Sequence, residues 1–244
     1  PDHPNIILNT GLFTIQYAHL LSIFIILLLT YINTRGVKEG KIIQTSFTIA
    51  KISALFGLIV FGFLLAKGGN WSANWADGWT MKKLVPDGTG GVTASEVMGV
   101  AALGAIAASM VGSVFSSDAW NNVTFIAGEI KNPKRNIGLS LFFGTLIVTL
   151  IYVTANLMYI YVLPIDAIAT APNDRVATAA SQAIFGGTLG AGIIAALIMV
   201  STFGCNNGLI LAGARVYYTM AKDGLFFKST GRLNKNGVPE YALW

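Results

Sequence analysis

The stretch Val114–Ile130, "VFSSDAWNNVTFIAGEI", decides how this chain is built. It follows Val97–Ser113, "VMGVAALGAIAASMVGS", which is apolar and small-sided enough to lie in a bilayer. A carboxylate, Asp118, then arrives with two serines before it and two asparagines after it. An ionised side chain at mid-membrane costs roughly 3 kcal/mol on insertion scales, so Asp118 has to face protein or water. Ser109, Ser113, Ser117, Asn121 and Thr124 recur at spacings of three and four, which draws one polar stripe along a helix. Ser, Asp and Asn also offer the backbone hydrogen bonds that compete with helix continuation. Two readings fit. In one, the helix breaks here and its freed backbone groups line a polar cavity, the one setting in which they are tolerated at that depth. In the other, the helix runs on intact and Asp118 is paired with a neighbour.

Composition sets the solvent. Hydrophobic residues make up 54% of the 244 and charged residues only 11%, with a mean hydropathy of +0.63. A soluble domain of this size needs about twice that charge to cover its surface. The expected class is therefore an all-α polytopic membrane protein, a single membrane domain over residues 1–244. Five segments are long and apolar enough to cross: about 12–33, 42–66, 96–130, 137–163 and 189–220. The single cysteine, Cys205, leaves no internal disulfide. No signal peptide is visible, and the start at Pro1 without Met reads as that of a fragment.

Basic residues orient the spans. Arg35, Lys38 and Lys41 lie between the first two, and Lys131, Lys134 and Arg135 between the third and fourth. Arg215, Lys222, Lys228, Arg232 and Lys235 lie at the end of the fifth and beyond. The opposite side has Lys67, Lys82, Lys83 and Arg175 diluted by acids. Loops 34–41, 131–136 and 221–244 are thus expected to be cytoplasmic. The net charge of +5 follows from this bias and points to anionic lipid headgroups, with no call for nucleic acid. On the outer side, Trp71, Trp75 and Trp79 would share a helical face, as an interfacial anchor or as a ligand cage. The run "DRVATAASQAIF" (Asp174–Phe185) reads as a short amphipathic helix, and Asn70-Trp71-Ser72 matches a glycosylation sequon.

Lys51 raises a second question. It lies ten residues past Lys41, about 15 Å deeper at 1.5 Å per residue, too deep to snorkel easily. It needs a carbonyl, hydroxyl or carboxylate partner. The last span offers Ser201, Thr202, Asn206 and Asn207. Gly204, Gly208 and Ala212 form a small-residue row on that span along which another helix can approach closely.

Three runs carry a resemblance. "NTRGVKEGKIIQTSFTIAK" (Asn33–Lys51), "FSSDAWNNVTFIAGEIKNPKRNI" (Phe115–Ile137) and "STFGCNNGLILAGARVYYTMAKDGLF" (Ser201–Phe226) keep their order along the chain. They resemble helices four to eight of L-amino-acid-transporter-like permeases, members of the amino acid–polyamine–organocation superfamily. The E-I-K-N-P-x-R-N-I run is the most specific piece. The resemblance implies a LeuT-like inverted-repeat fold with a discontinuous helix. It further implies that Phe115, Ser116, Ser117 and Asp118 form the substrate-binding break, with Phe115 as the aromatic lid. Lys51 maps to a fifth-helix lysine that takes the place of a coupling cation, with Ser201 and Thr202 beside it. Many relatives carry glycine in the break, whereas this chain has Ser116-Ser117-Asp118-Ala119. The glycine-rich first helix of such permeases is absent from this chain, so half the expected site lies outside it.

The implied function is secondary transport of an amino acid by alternating access, as sodium-independent exchange of neutral substrates at the plasma membrane, or at the inner membrane of a bacterium. The alternative is a proton-coupled importer of amines or cationic amino acids, with Asp118 as the amine or proton site. An intramembrane enzyme fits poorly, because aspartyl chemistry needs a second carboxylate sharing the proton. No cofactor or metal is implied, since His3, His19 and Cys205 do not cluster in sequence. No partner subunit can be read from the chain.

Overall fold

A computed structural model describes residues 6–9, 14–66, 69–76, 78, 80–86, 92–116, 118 and 120–244. A short hairpin, β1 (Ile6–Asn9) and β2 (Thr14–Gln16), leads into helix α1 (Tyr17–Arg35). The first span was expected from residue 12; the helix starts at Tyr17, where Gln16 and His19 form a capping box. Helix α2 (Val37–Leu65) follows after one residue. The outer segment holds α3 (Trp71–Trp75) and a second antiparallel hairpin, β3 (Lys82–Pro86) with β4 (Val92–Glu96). Helix α4 (Val100–Ser116) is followed by the four-residue α5 (Asn122–Phe125) and a 3-10 turn over Ala127–Glu129. Then come α6 (Pro133–Val162), α7 (Ile165–Ala169), α8 (Val176–Phe185), α9 (Gly187–Lys222) and α10 (Glu240–Leu243).

Four helices, α1, α2 from Gly40, α6 and α9, are long and apolar enough to cross a membrane. Helix α4 has 17 residues, about 25 Å, which is short of a full crossing. Of the residues expected to complete that crossing, the described ones, 118 and 120–130, do not form one helix. Asn121, Asn122 and Gly128 are weak helix formers, and the chain passes through turns instead.

The helix ends are written in the sequence. Pro133 opens α6 at its first position, where its missing N–H costs nothing. Asn132 before it takes φ of 50°, a left-handed conformation that asparagine tolerates. Its carbonyl accepts from the N–H groups of Arg135 and Asn136 at 3.1 and 3.0 Å. At the end of α9, Gly224 has φ of 78° and the Leu225 N–H reaches back to the Met220 carbonyl at 2.8 Å, a Schellman-type stop.

The chain divides into two compact units, Pro1–Ala50 with Val200–Trp244, and Lys51–Met199. In the second, Leu58, Met158, Ile184 and Ile194 form a buried cluster with Tyr159, Val162, Ala177 and Phe185 against it. The end of α6 is closed by asparagines from the outer segment. Asn74 Nδ2 donates to the carbonyls of Ile160 and Leu163 at 2.7 and 2.8 Å, and its Oδ1 accepts from Ile165 N–H. Asn70 Nδ2 donates to the Val162 carbonyl at 2.9 Å. The sequon nitrogen is therefore engaged as a structural donor. Trp71 and Trp75 do share a face, with ring centroids 5.6 Å apart; Trp79 lies outside the described residues.

Helices α8 and α9 approach closely at Gly190. The buried Ser181 hydroxyl donates to the Gly190 carbonyl at 2.8 Å, and a Cβ at position 190 would overlap the Ser181 carbonyl oxygen. Gly192 faces open space. Gly190→Ala should lower the melting temperature of the full-length protein in detergent by several degrees, from overpacking of about 2 kcal/mol. Gly192→Ala should leave it unchanged or slightly raised, since Ala favours helix over Gly by about 1 kcal/mol. Equal melting of the two variants would contradict the close approach.

Candidate functional site

The polar run that opened the sequence reading sits where a helix stops. Helix α4 ends at Ser116. Immediately past it, the Asp118 N–H turns back to the Phe115 carbonyl at 3.2 Å. The chain resumes through Asn121, whose carbonyl accepts from both the Thr124 N–H (2.9 Å) and its hydroxyl (2.7 Å). Of the two readings left open by the sequence, the broken helix is the one observed. Phe115 and Ser116 close α4 and Asp118 lies in the turn that follows; Ser117 falls outside the described residues. Phe115 is 75% exposed, and Asp118 is exposed as well. Met110, Ser113, Val114, Asp118 and Trp120 border an open hollow of about 420 Å³. Ser109 serves the helix, donating to the Ile106 carbonyl at 2.8 Å. Of the expected stripe, Ser109 and Ser113 lie on α4, Asn121 in a turn and Thr124 on α5. Among the described residues no three His, Cys, Asp or Glu gather to hold a metal ion.

The second group of expected residues lies on the long helices. Lys51 is half-buried on α2. Ser201 is half-buried and Thr202 exposed on α9. Lys51 extends the α2 stripe of Gly40, Gln44 and Phe47 by one turn, and Ser201 extends the α9 stripe of Gly208 and Gly204.

The amide of Asn207, offered by the sequence as a partner for Lys51, is used elsewhere. It belongs to a network that the sequence reading missed. Asn33, at the end of α1, donates from Nδ2 to the Leu29 carbonyl at 2.9 Å and to Asn207 Oδ1 at 2.8 Å. Asn207 Nδ2 in turn donates to the Gly40 carbonyl at 3.3 Å and to Gln44 Oε1 at 3.2 Å. Both asparagines are fully buried. The small-residue row on α9 seats α2, as expected. A Cβ on Gly204 would stand 2.8 Å from Phe47 Cβ, and one on Gly208 would stand 3.3 Å from Gln44 Nε2. The signal for this network was present: an amide inside an apolar span needs a partner as much as a charge does. Asn33, Gln44 and Asn207 all lie in or at the ends of such spans.

These features place the chain among known proteins. A model of the family described as amino acid permease matches residues 7–244. The chain belongs to that family. The serine/threonine exchanger SteT of Bacillus subtilis is 29% identical over 205 residues, covering 84% of this chain and 41% of SteT. The b(0,+)-type amino acid transporter 1 of Oryctolagus cuniculus is 28% identical over 209 residues, 83% of this chain and 37% of that protein. The large neutral amino acids transporter small subunit 2 of Mus musculus is 26% identical over 209 residues, 84% of this chain and 35% of its own length. The chain therefore spans about two fifths or less of these relatives. Family and apolar helices together make this permease an integral, multi-pass membrane protein with an all-α polytopic, LeuT-like fold.

The exposure of Phe115 is compatible with water or with lipid, and the polar break beside it argues for water. Phe115→Cys in the membrane-embedded full-length protein should react with a charged, membrane-impermeant thiol reagent at least tenfold faster than Leu150→Cys, on the apolar face of α6 where residue 150 is 57% exposed. Equal, slow labelling would place the break in lipid.

Proposed function

We propose that this permease carries amino acids across the membrane by alternating access, as a sodium-independent exchanger of neutral amino acids. The observation that carries the reading is the interruption of α4 at Ser116, in a chain of the amino acid permease family. A helix that stops at bilayer depth leaves carbonyls and N–H groups free, and those groups recognise the paired charges of an α-amino acid without a dedicated side chain. Phe115, Ser116, Ser117 and Asp118 form this chain's half of the substrate site, and Phe115 closes over the bound substrate. Lys51 supplies a fixed positive charge in place of a coupling cation, with the hydroxyls of Ser201 and Thr202 assigned to it. The relatives support the substrate class: one is named as an exchanger of serine and threonine, another as a transporter of large neutral amino acids. Loops 34–41, 131–136 and 221–244 are assigned to the cytoplasmic side, and residues 1–244 act as part of one membrane domain.

Asp118 favours one competing reading. An exposed carboxylate at the break suits a cationic amine or a transported proton. Counterflow separates the two. Proteoliposomes holding the full-length protein are loaded with unlabelled L-serine, L-leucine, L-lysine or L-glutamate, and uptake of each labelled form is followed with and without sodium. Trans-stimulated uptake of serine or leucine that is indifferent to sodium is the expected result. Uptake that follows an imposed proton gradient and favours amines would overturn the exchanger.

Lys51→Ala should reduce exchange at least tenfold while the protein remains monodisperse in detergent. Flux near that of the parent would remove the lysine from coupling. Asp118→Asn should leave neutral exchange and its pH profile within about twofold of the parent; a collapsed pH profile would assign Asp118 a proton.

A further inference from the structure

The amide network has a consequence for what can move. Its polarity is fixed at both ends by backbone carbonyls, of Leu29 at one end and Gly40 at the other. Turning either asparagine over would aim an oxygen at a carbonyl oxygen. Around the network the helices are close: a Cβ on Gly204 would stand 2.8 Å from Phe47 Cβ, one on Gly40 would overlap Asn33 Oδ1, and one on Gly208 would press on the Gln44 amide at 3.3 Å. The Phe47 and Phe203 rings lie beside these, with centroids 4.9 Å apart. The end of α1 is held from a further direction. Asn234 Nδ2 donates to the Thr34 carbonyl at 3.0 Å and Asn236 Nδ2 to the Arg35 carbonyl at 2.6 Å. Behind them Val238 and Pro239 are buried. Sliding or rotating the Gly40–Phe47 segment against α9 would strip both donors of a fully buried Asn207 at once, with no water to replace their acceptors.

We propose that Asn33, Gln44 and Asn207 form a permanent lock: the first part of α2 travels with the end of α1 and with α9 around Gly204–Gly208 as one body throughout the transport cycle. Asn207 is the positioning residue that sets the register of α2. The lock rests on the transport reading for its role, but its existence does not.

Two measurements test it in the full-length protein. In a Cys205→Ser background, Phe47→Cys and Phe203→Cys replace two rings whose centroids are 4.9 Å apart, and a short, reducible bifunctional thiol reagent ties the two helices. The cross-link should form, and exchange in the cross-linked protein should stay within twofold of the reduced protein. Failure to form it, or exchange lost on cross-linking and restored by reductant, would overturn the lock. The second measurement needs no transport. The melting temperatures of Asn33→Ala, Asn207→Ala and the double variant are compared. The double variant should lose less than the sum of the two single variants, because both singles already remove the Asn33–Asn207 bond. Additive losses would overturn the network even if the protein moved no amino acid. Loss of exchange already in the reduced Cys205→Ser protein, with the coupled melting intact, would count against the transport reading and leave the lock standing.

Discussion

A backbone or amide group inside a bilayer has only the protein to bond to, and this chain meets that constraint repeatedly with asparagine. Asn74 and Asn70 take the last carbonyls of α6. Asn234 and Asn236 take those at the end of α1. Asn33 and Asn207 bridge helices, each taking a backbone carbonyl in the process. The amide suits the task because its nitrogen can donate twice and it carries no charge to desolvate, although the buried Oδ1 of Asn33 has no hydrogen-bond partner of its own beyond the Asn33 amide group's donors among the described residues. Helix termini in this permease are therefore tertiary contacts: an end is closed by a residue roughly 90 or 200 positions away in sequence. Against that background the break after Ser116 stands apart. The hydrogen bonds described there are local, from Asp118 to Phe115 and from Thr124 to Asn121.

The parts of the fold set by local chemistry were legible in the sequence. Pro133 and Asn132 mark the start of α6, Gly224 the end of α9, and the run of serine, aspartate and asparagine the end of α4. The amphipathic run at Asp174–Phe185 is a helix, α8 (Val176–Phe185). Less legible was anything that depends on pairing at a distance. Hairpin β3–β4 lies in a stretch whose tryptophan spacing drew attention to a helix, and Trp71 and Trp75 lie on one. Asn70 read as a sequon because its motif is local, whereas its structural partner, Val162, is 92 residues on. Asn207 read as a partner for Lys51 because a buried charge is the more conspicuous demand. The demand made by Asn33 and Gly40 is quieter, but Asn207 meets it with three hydrogen bonds. The small-residue row was legible because the reason for it is steric and its spacing is helical.

The buried centres of the two compact units differ in kind. In Lys51–Met199 the buried cluster of Leu58, Met158, Ile184 and Ile194 is apolar, and burial of that kind is non-directional. Such a contact survives a small slide at modest cost, above all with an unbranched methionine at its centre. In the unit that joins residues up to Ala50 with those from Val200, the centre is a chain of amides, and amides are directional: a shift of an ångström takes a 2.8 Å bond out of range while its donor stays buried. A buried, oriented amide chain holds the register of α2 against α9 at a cost no apolar contact of the same area would impose. On this view the polarity of Asn33 and Asn207 is retained for its direction more than for its strength, since two well-packed leucines would hold the helices together as firmly and specify their register less.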